Sequence, residues 1–305
     1  MPDHPLSVII PAHDEEAVIG RLLEALGPPL PADEVIVVCD GCTDRTAEVA
    51  RRFPGVRVIE AERGGKPAAL NIGDEAASLF PRFYVDADIV VSLQTLREVQ
   101  LDDAGGALAG APSMHVDLSR SSWPVGRFYD IWTRLPYTGQ GMIGSGVIGL
   151  ARRGRERFED FPPLIGDDEF LRRLFTVEER CAPSQGFFTV TAPRRLGPLV
   201  RIKTRGRLGI MQLDAAFGPA PPEVGEQGRS VLLPLLRDPR RWPGLAVFAT
   251  VRVLVGIRAR RRLAAGDVTW DRDETARDLT RCTPDAESCS PGSRPDRDVL
   301  RRRSR

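Results

Sequence analysis

Aromatic side chains make up only 6% of this 305-residue chain, with three tyrosines and four tryptophans among them. That scarcity leaves no stacking platform of the kind on which single-stranded nucleic acid is held, so nucleic-acid binding is a poor use for its many arginines. Long apolar runs are missing too: none reaches the ~18 uninterrupted residues that argue for a membrane span. Cysteine is sparse and odd in number, five in all, which excludes a disulfide framework and fits a reducing compartment. Cys39-Asp40-Gly41-Cys42 has C-x-x-C spacing, but no Trp or Pro flanks it as in a thioredoxin-like pair. Cys282 and Cys289, in a Pro- and Ser-rich tail, make a poor second half for a zinc site. Cys39 and Cys42 therefore read as small, half-buried loop residues. No charged and apolar leader precedes the first strand. These absences together predict a chain that folds in the cytoplasm.

What is present reads as a globular protein, with 42% hydrophobic and 28% charged residues. The formal charge of +1 conceals an asymmetry. Arg194 to Arg207 holds six basic residues and no acidic one, and Arg237 to Arg262 holds eight Arg against one Asp. Leu6 to Pro11, Glu34 to Val38, Val56 to Ile59 and Phe83 to Val85 are short apolar runs, as expected of strands buried on both faces. Between them lie helical patterns. Ile19, Leu22, Leu23 and Leu26 make one apolar face, Thr43-Asp44 caps a helix over Ala47 to Phe53, and a third helix runs from about Pro67 to Leu79. Such alternation predicts right-handed crossovers and a mostly parallel sheet.

Ligands bind beyond the carboxyl ends of the strands in such sheets, and the polar residues of interest fall there. Asp40 follows the second strand, Gly64-Gly65-Lys66 the third, and Asp86-Ala87-Asp88 the fourth. An aspartate is badly placed in a strand interior, where an unpaired charge costs several kcal/mol or more. The fourth strand should therefore end at Asp86 and offer carboxylate oxygens to a hard divalent cation. Asp167-Asp168-Glu169 opens a further helix, where the dipole favours acidic residues, and three in a row invite a chemical role. Four glycines between Gly139 and Gly146 read either as tight turns or as backbone approaching a ligand.

Val8 to Glu16, Val37 to Asp44, Gly65 to Asn71 and Asp86-Ala87-Asp88 come in an order and spacing that resembles the family 2 glycosyltransferases, over roughly residues 5 to 210. The resemblance implies an α/β fold of the GT-A nucleotide-diphospho-sugar transferase type: a mostly parallel central sheet flanked by helices. Pro11 would open the loop around the nucleotide base, with Ala12 among the residues that bind the nucleotide and Glu16 at the start of the next helix. Asp40 would accept a hydrogen bond from the base, and Lys66 would face the diphosphate. Asp86 and Asp88 would form the Asp-x-Asp pair, Asp88 as a direct ligand of Mg2+ or Mn2+ and Asp86 nearer the ribose or the ion. Asp167 or Asp168 would be the catalytic base of an inverting reaction.

The chain departs from the family pattern in places. Asp14 replaces the usual Asn and His13 the aromatic before it; Cys39 and Cys42 replace the outer residues of the Asp-Asp-Gly-Ser run; the Glu-Asp pair reads Asp167-Asp168. The Gln-x-x-Arg-Trp motif of processive synthases is absent, and Arg201 to Arg205 occupies roughly its place without the Trp, which implies transfer of one sugar. The expected partners are a nucleotide-diphosphate sugar and a hydroxyl acceptor (a glycan, a lipid-linked molecule or a small molecule), in cell-envelope or surface polysaccharide or glycolipid synthesis. A nucleotidyltransferase is the alternative enzyme class, though its Gly-rich, Arg-containing loop after the first strand is not seen. A sugar-nucleotide-binding protein without catalysis is the other. Residues 1–210 are expected to form the transferase domain, 211–280 a helical extension and 281–305 a disordered tail. Leu245 to Arg262 reads either as a core helix or as a basic amphipathic helix at an anionic membrane surface on the inner face of the cell membrane.

Overall fold

The computed structural model describes residues 4–135, 138, 146–181, 186–220 and 234–266. Most of the expected glycine run, parts of the expected helical extension and the expected tail lie outside the described residues.

Three βα units and a fourth strand open the chain: β1 (Ser7–Ala12), α1 (Ile19–Leu26), β2 (Glu34–Asp40), α2 (Thr46–Ala50), β3 (Val56–Ala61), α3 (Lys66–Ala76) and β4 (Arg82–Val85). Then come β5 (Ile89–Val90), α4 (Leu93–Arg97), β6 (Ala109–Gly110), β7 (Ser113–Asp117), α5 (Trp123–Trp132) and β8 (Val147–Leu150). The remainder is α6 (Arg152–Arg155), α7 (Asp167–Arg173), β9 (Arg180–Cys181), β10 (Phe187–Thr191), α8 (Leu196–Phe217) and α9 (Trp242–Ala264).

The main sheet has the order β3-β2-β1-β4-β8-β6-β9, and a three-stranded sheet has the order β5-β10-β7. β1 pairs in parallel with β2 and β4, and β2 with β3, while β8 runs antiparallel to β4 and β6. The central strands are apolar without alternation because both faces are covered. Val8, Ile10, Val35, Val37, Phe83 and Val85 point to the side of α1 and α2. Ile9, Ile36, Val38 and Tyr84 point to the side of α3 and α7. Gly73 lets α3 lie close on β1, since a Cβ there would come 2.4 Å from Ile9 Cγ2.

The expectation of a loop position for Cys39 is corrected. It lies inside β2, paired across from Ala12 and 2% exposed, because the strand runs two residues beyond the apolar stretch to Asp40. Cys42 is half-buried in the loop that follows.

Helix α9 packs on α5 and α8 through Phe248, Val251 and Val255 against Phe128, Ile131, Leu199 and Val200. At 100° per residue, Gly244, Phe248, Val251, Val255 and Ala259 share that buried face. Trp242, Val253, Leu254, Ile257 and Leu263 lie outside it and are exposed. By length and composition, residues 239–264 are apolar enough to cross a membrane, although no run within them is free of arginine for 18 residues. Lys203 of α8 sits 4.0 Å from the Trp132 ring, and burial, then Arg252, push its amine down to about 8.

Candidate active site

The polar residues singled out above gather at one edge, where β1, β2 and β4 end and α3 and α7 begin. Gly65 has φ +87°, and α3 starts immediately after it with Lys66. Gly166, at φ +100°, turns the chain into α7, whose first turn holds Asp167, Asp168 and Glu169. Acidic residues are favoured at a helix start of this kind.

Lys66 is the hub. Its Nζ lies 2.7 Å from Asp86 Oδ1 and 2.7 Å from Asp167 Oδ2. Its side chain is 15% exposed. Burial works against its charge, but Asp167, Asp86 and Asp168 outweigh that and hold the amine well above the usual lysine range. Asp168 has the opposite fate. Burial and then the neighbouring Asp167 push its carboxyl up to about 8, with Lys66 and Arg205 pulling the other way. Three carboxylates thus share one ammonium. Glu169 stands apart, because Arg172 at 2.6 Å and Arg173 at 3.1 Å hold its carboxylate on the helix surface.

Asp86 is the first residue after β4, as expected, and its N–H donates to Gly146 O at 2.7 Å. A Cβ on Gly146, whose φ is +101°, would lie 3.2 Å from Asp86 Oδ2. This one described glycine of the run therefore approaches the acidic pair itself. Asp88 is exposed, and its backbone carbonyl accepts from Arg21 of α1 at 3.0 Å. Nothing in the α1 pattern singled out Arg21, whose partner is 67 residues away.

Other expected residues are engaged by the protein. Asp40 is 4% exposed, and its two oxygens accept from Gly64 N at 2.6 Å and Gly65 N at 2.9 Å. It shapes the turn that delivers Lys66. Glu16 pairs with Arg45, which lowers its carboxyl from the usual range. Pro11 and Ala12 are the last two residues of β1, both buried, and the loop that follows begins at His13. Cys39 donates to Cys42, and that bond, against burial, holds the Cys42 thiol at about 7, helped by the Asp14 N–H and Thr46. The same bond and burial push the Cys39 thiol up.

Residues 7–141 match the family model described as glycosyl transferase family 2. This stretch is a family 2 glycosyltransferase region. The 4,4'-diaponeurosporenoate glycosyltransferase of Staphylococcus aureus (strain USA300) is 31% identical over 169 residues, which is 52% of this chain and 42% of the relative. The chain thus spans less than half the length of the curated relatives it matches. Among solved structures, a mannosyltransferase from Pyrobaculum calidifontis, in complex with GDP-Man and Mn2+, superposes with TM-score 0.56 at 20% identity, covering 87% of this chain and 80% of that one. Glucosyl-3-phosphoglycerate synthase from Mycobacterium tuberculosis, in complex with Mn2+, UDP and glucosyl-3-phosphoglycerate, superposes with TM-score 0.50 at 21% identity, over 72% and 81% of the two chains. The fold is GT-A. The family 2 region contains Lys66, Asp40 and the Asp86–Asp88 pair, while Asp167 and Asp168 lie beyond it.

Proposed function

We propose that the chain is a metal-dependent, inverting glycosyltransferase that moves a single sugar from a nucleotide-diphosphate donor to a hydroxyl acceptor. One observation carries this reading: a lysine and three aspartates from β4, α3 and α7 meet at the ligand-binding edge of a GT-A sheet. The family match favours it over a nucleotidyltransferase.

The acidic residues fit a hard divalent ion. Asp86 and Asp88 offer only oxygen, and magnesium is usually held by one or two carboxylates plus substrate phosphates. Asp86, Asp167 and Asp168 stand around the single ammonium of Lys66, and that excess of carboxylate favours an added cation. Such an ion, when bound, would act as a Lewis acid on the diphosphate. Lys66 contributes a fixed positive charge where negative charge grows on the leaving group. Asp168 is the better base, because Asp167 is tied to Lys66 and a base works best with a pKa near the operating pH. The acceptor hydroxyl gives up its proton to Asp168 as it attacks, and in-line displacement inverts the anomeric centre.

Thermal-shift measurement with a panel of sugar nucleotides and Mn2+ or Mg2+ tests this. A bound donor raises stability by RT ln(1 + [L]/Kd), about 2.7 kcal/mol at 100 Kd. The expected result is metal-dependent stabilisation by one class of nucleotide sugar. A panel without any metal-dependent shift would sink the reading.

The exposed apolar side of α9 supports an anionic membrane surface as a further partner. Trp242, Val253, Leu254 and Ile257 lie there with Arg260 and Arg261 nearby. Apolar insertion and ~1 kcal/mol per arginine near an anionic surface would act together. On this reading the enzyme works in the cytoplasm, peripheral to the membrane, on a glycan or lipid-linked acceptor of the cell envelope. Cosedimentation should show binding to phosphatidylserine-containing vesicles that salt weakens and Val253→Asp with Ile257→Asp abolishes. Equal binding by that variant would remove α9 from the membrane contact.

A further inference from the structure

The loops after β1 and β2 bring together a second group of metal-binding side chains, separate from the Lys66 cluster. One nitrogen of His13, one carboxylate oxygen of Asp14 and Sγ of Cys42 lie within 4.8 Å of one another, all three half-buried. His13 Nε2 stands 3.8 Å from Asp14 Oδ2. That is too long for a hydrogen bond. It is close to the gap between two ligands of one small cation, since nitrogen and oxygen sit ~2.0–2.2 Å from a tetrahedral zinc ion.

The surroundings hold the three groups in place. Asp14 Oδ1 accepts from Thr43 N at 2.6 Å, and the Asp14 N–H donates to Cys42 Sγ at 3.4 Å. His13 Nδ1 is buried and has no hydrogen-bond partner among the described residues, so the imidazole's bonding capacity is not used up by the protein.

The donor set decides the kind of ion. A thiolate, an imidazole and a carboxylate suit a borderline transition ion, whereas Mg2+ and Ca2+ take oxygen. The oxygen-only pair Asp86 and Asp88 differs from this set in kind. We propose that His13, Asp14 and Cys42 bind one borderline divalent ion, with Zn2+ the best match and water in the fourth position. Binding releases the Cys42 thiol proton to solvent. The ion would clamp the loop after β1 to the loop after β2, next to Asp40 and the end of β1. The site does not depend on the transferase reading, since none of its ligands belongs to the Lys66 cluster.

The test uses the full chain, stripped with chelator and carrying Asp86→Asn and Asp88→Asn so that only this site remains. Titration against a chromophoric zinc chelator should show one equivalent bound. Adding Cys42→Ser or His13→Gln should weaken binding at least ~10-fold, the lower end of what even outer-sphere changes cost a metal site. Co2+ supplies a readout free of any competing chelator: the site should give a sulfur-to-metal charge-transfer band that Cys42→Ser removes. Unfolding curves of each variant without metal separate ligand loss from misfolding, and the two substitutions act on different loops. Absence of stoichiometric zinc, or an unchanged zinc affinity and cobalt spectrum in folded Cys42→Ser, would overturn the site.

Discussion

Replacing Asp168 by Asn should lower turnover by about 10²–10⁴-fold, the usual contribution of a positioned general base, and should also make the metal-free protein more stable. The two effects have one cause. Burial and Asp167 push the Asp168 carboxyl up to about 8. A carboxyl raised on folding keeps its proton in the native state after the unfolded chain has lost it. Its contribution is therefore fully present below about pH 4 and is lost as pH rises toward 8. An amide has no such dependence. Metal-free wild type should lose thermal stability across that window relative to Asp168→Asn, and by pH 8 the variant should melt a few °C higher. Donor turnover and melting curves from pH 4 to 9 check both. If turnover survived the substitution, the base would be Asp167 or lie elsewhere. If the two melting profiles ran in parallel, the electrostatic account of the cluster would be wrong.

The largest effect on stability is expected at a second charge cluster, built on the same helix as Lys66. Asp74 of α3 is 7% exposed. Its Oδ1 lies 2.6 Å from Arg82 Nη1, and its Oδ2 lies 2.6 Å from Arg155 Nε. Tyr84 donates to the same carboxylate, and burial, then Asp74, hold that phenol well above the usual tyrosine range. Arg82 also donates to Ala77 O at 2.7 Å. Asp74→Ala would leave two guanidiniums facing each other without their shared counter-charge. Removing one partner of a buried pair costs about 3–5 kcal/mol, which in a chain of this size lowers the melting temperature by roughly 10 °C. Urea unfolding of the variant checks this. A loss under about 1 kcal/mol would mean that solvent reaches the network.

This network also marks where sequence reading stops. β1, β2 and β4 were legible because a parallel strand covered on both faces must be apolar throughout, and Asp86 was legible because a charge ends such a run. Asp167 and Asp168 announced themselves at a helix start. Asp74 and Arg155 are 81 positions apart, and neither carries a local signal; in a helical pattern Asp74 looks like a solvated residue. The same holds for His13 and Cys42, which only the parallel register of β1 and β2 brings together. Cys39 was misplaced because polar Asp40, still within the strand, looked like the start of a loop. The inward face of α9 was ambiguous since both sides of that helix are apolar, and a helix in that state reads alike whether its second face meets protein or lipid.

The ammonium of Lys66 serves two masters, Asp86 and Asp167, each at 2.7 Å. On the proposed reading, a donor diphosphate would compete with both carboxylates at once for this one ammonium. The pair with Asp167 tethers the start of α7 to Lys66 and, through it, to Asp86. If the lysine turned to phosphate, that tether would slacken. On the proposed reading this would favour donor before acceptor, through a single shared ammonium.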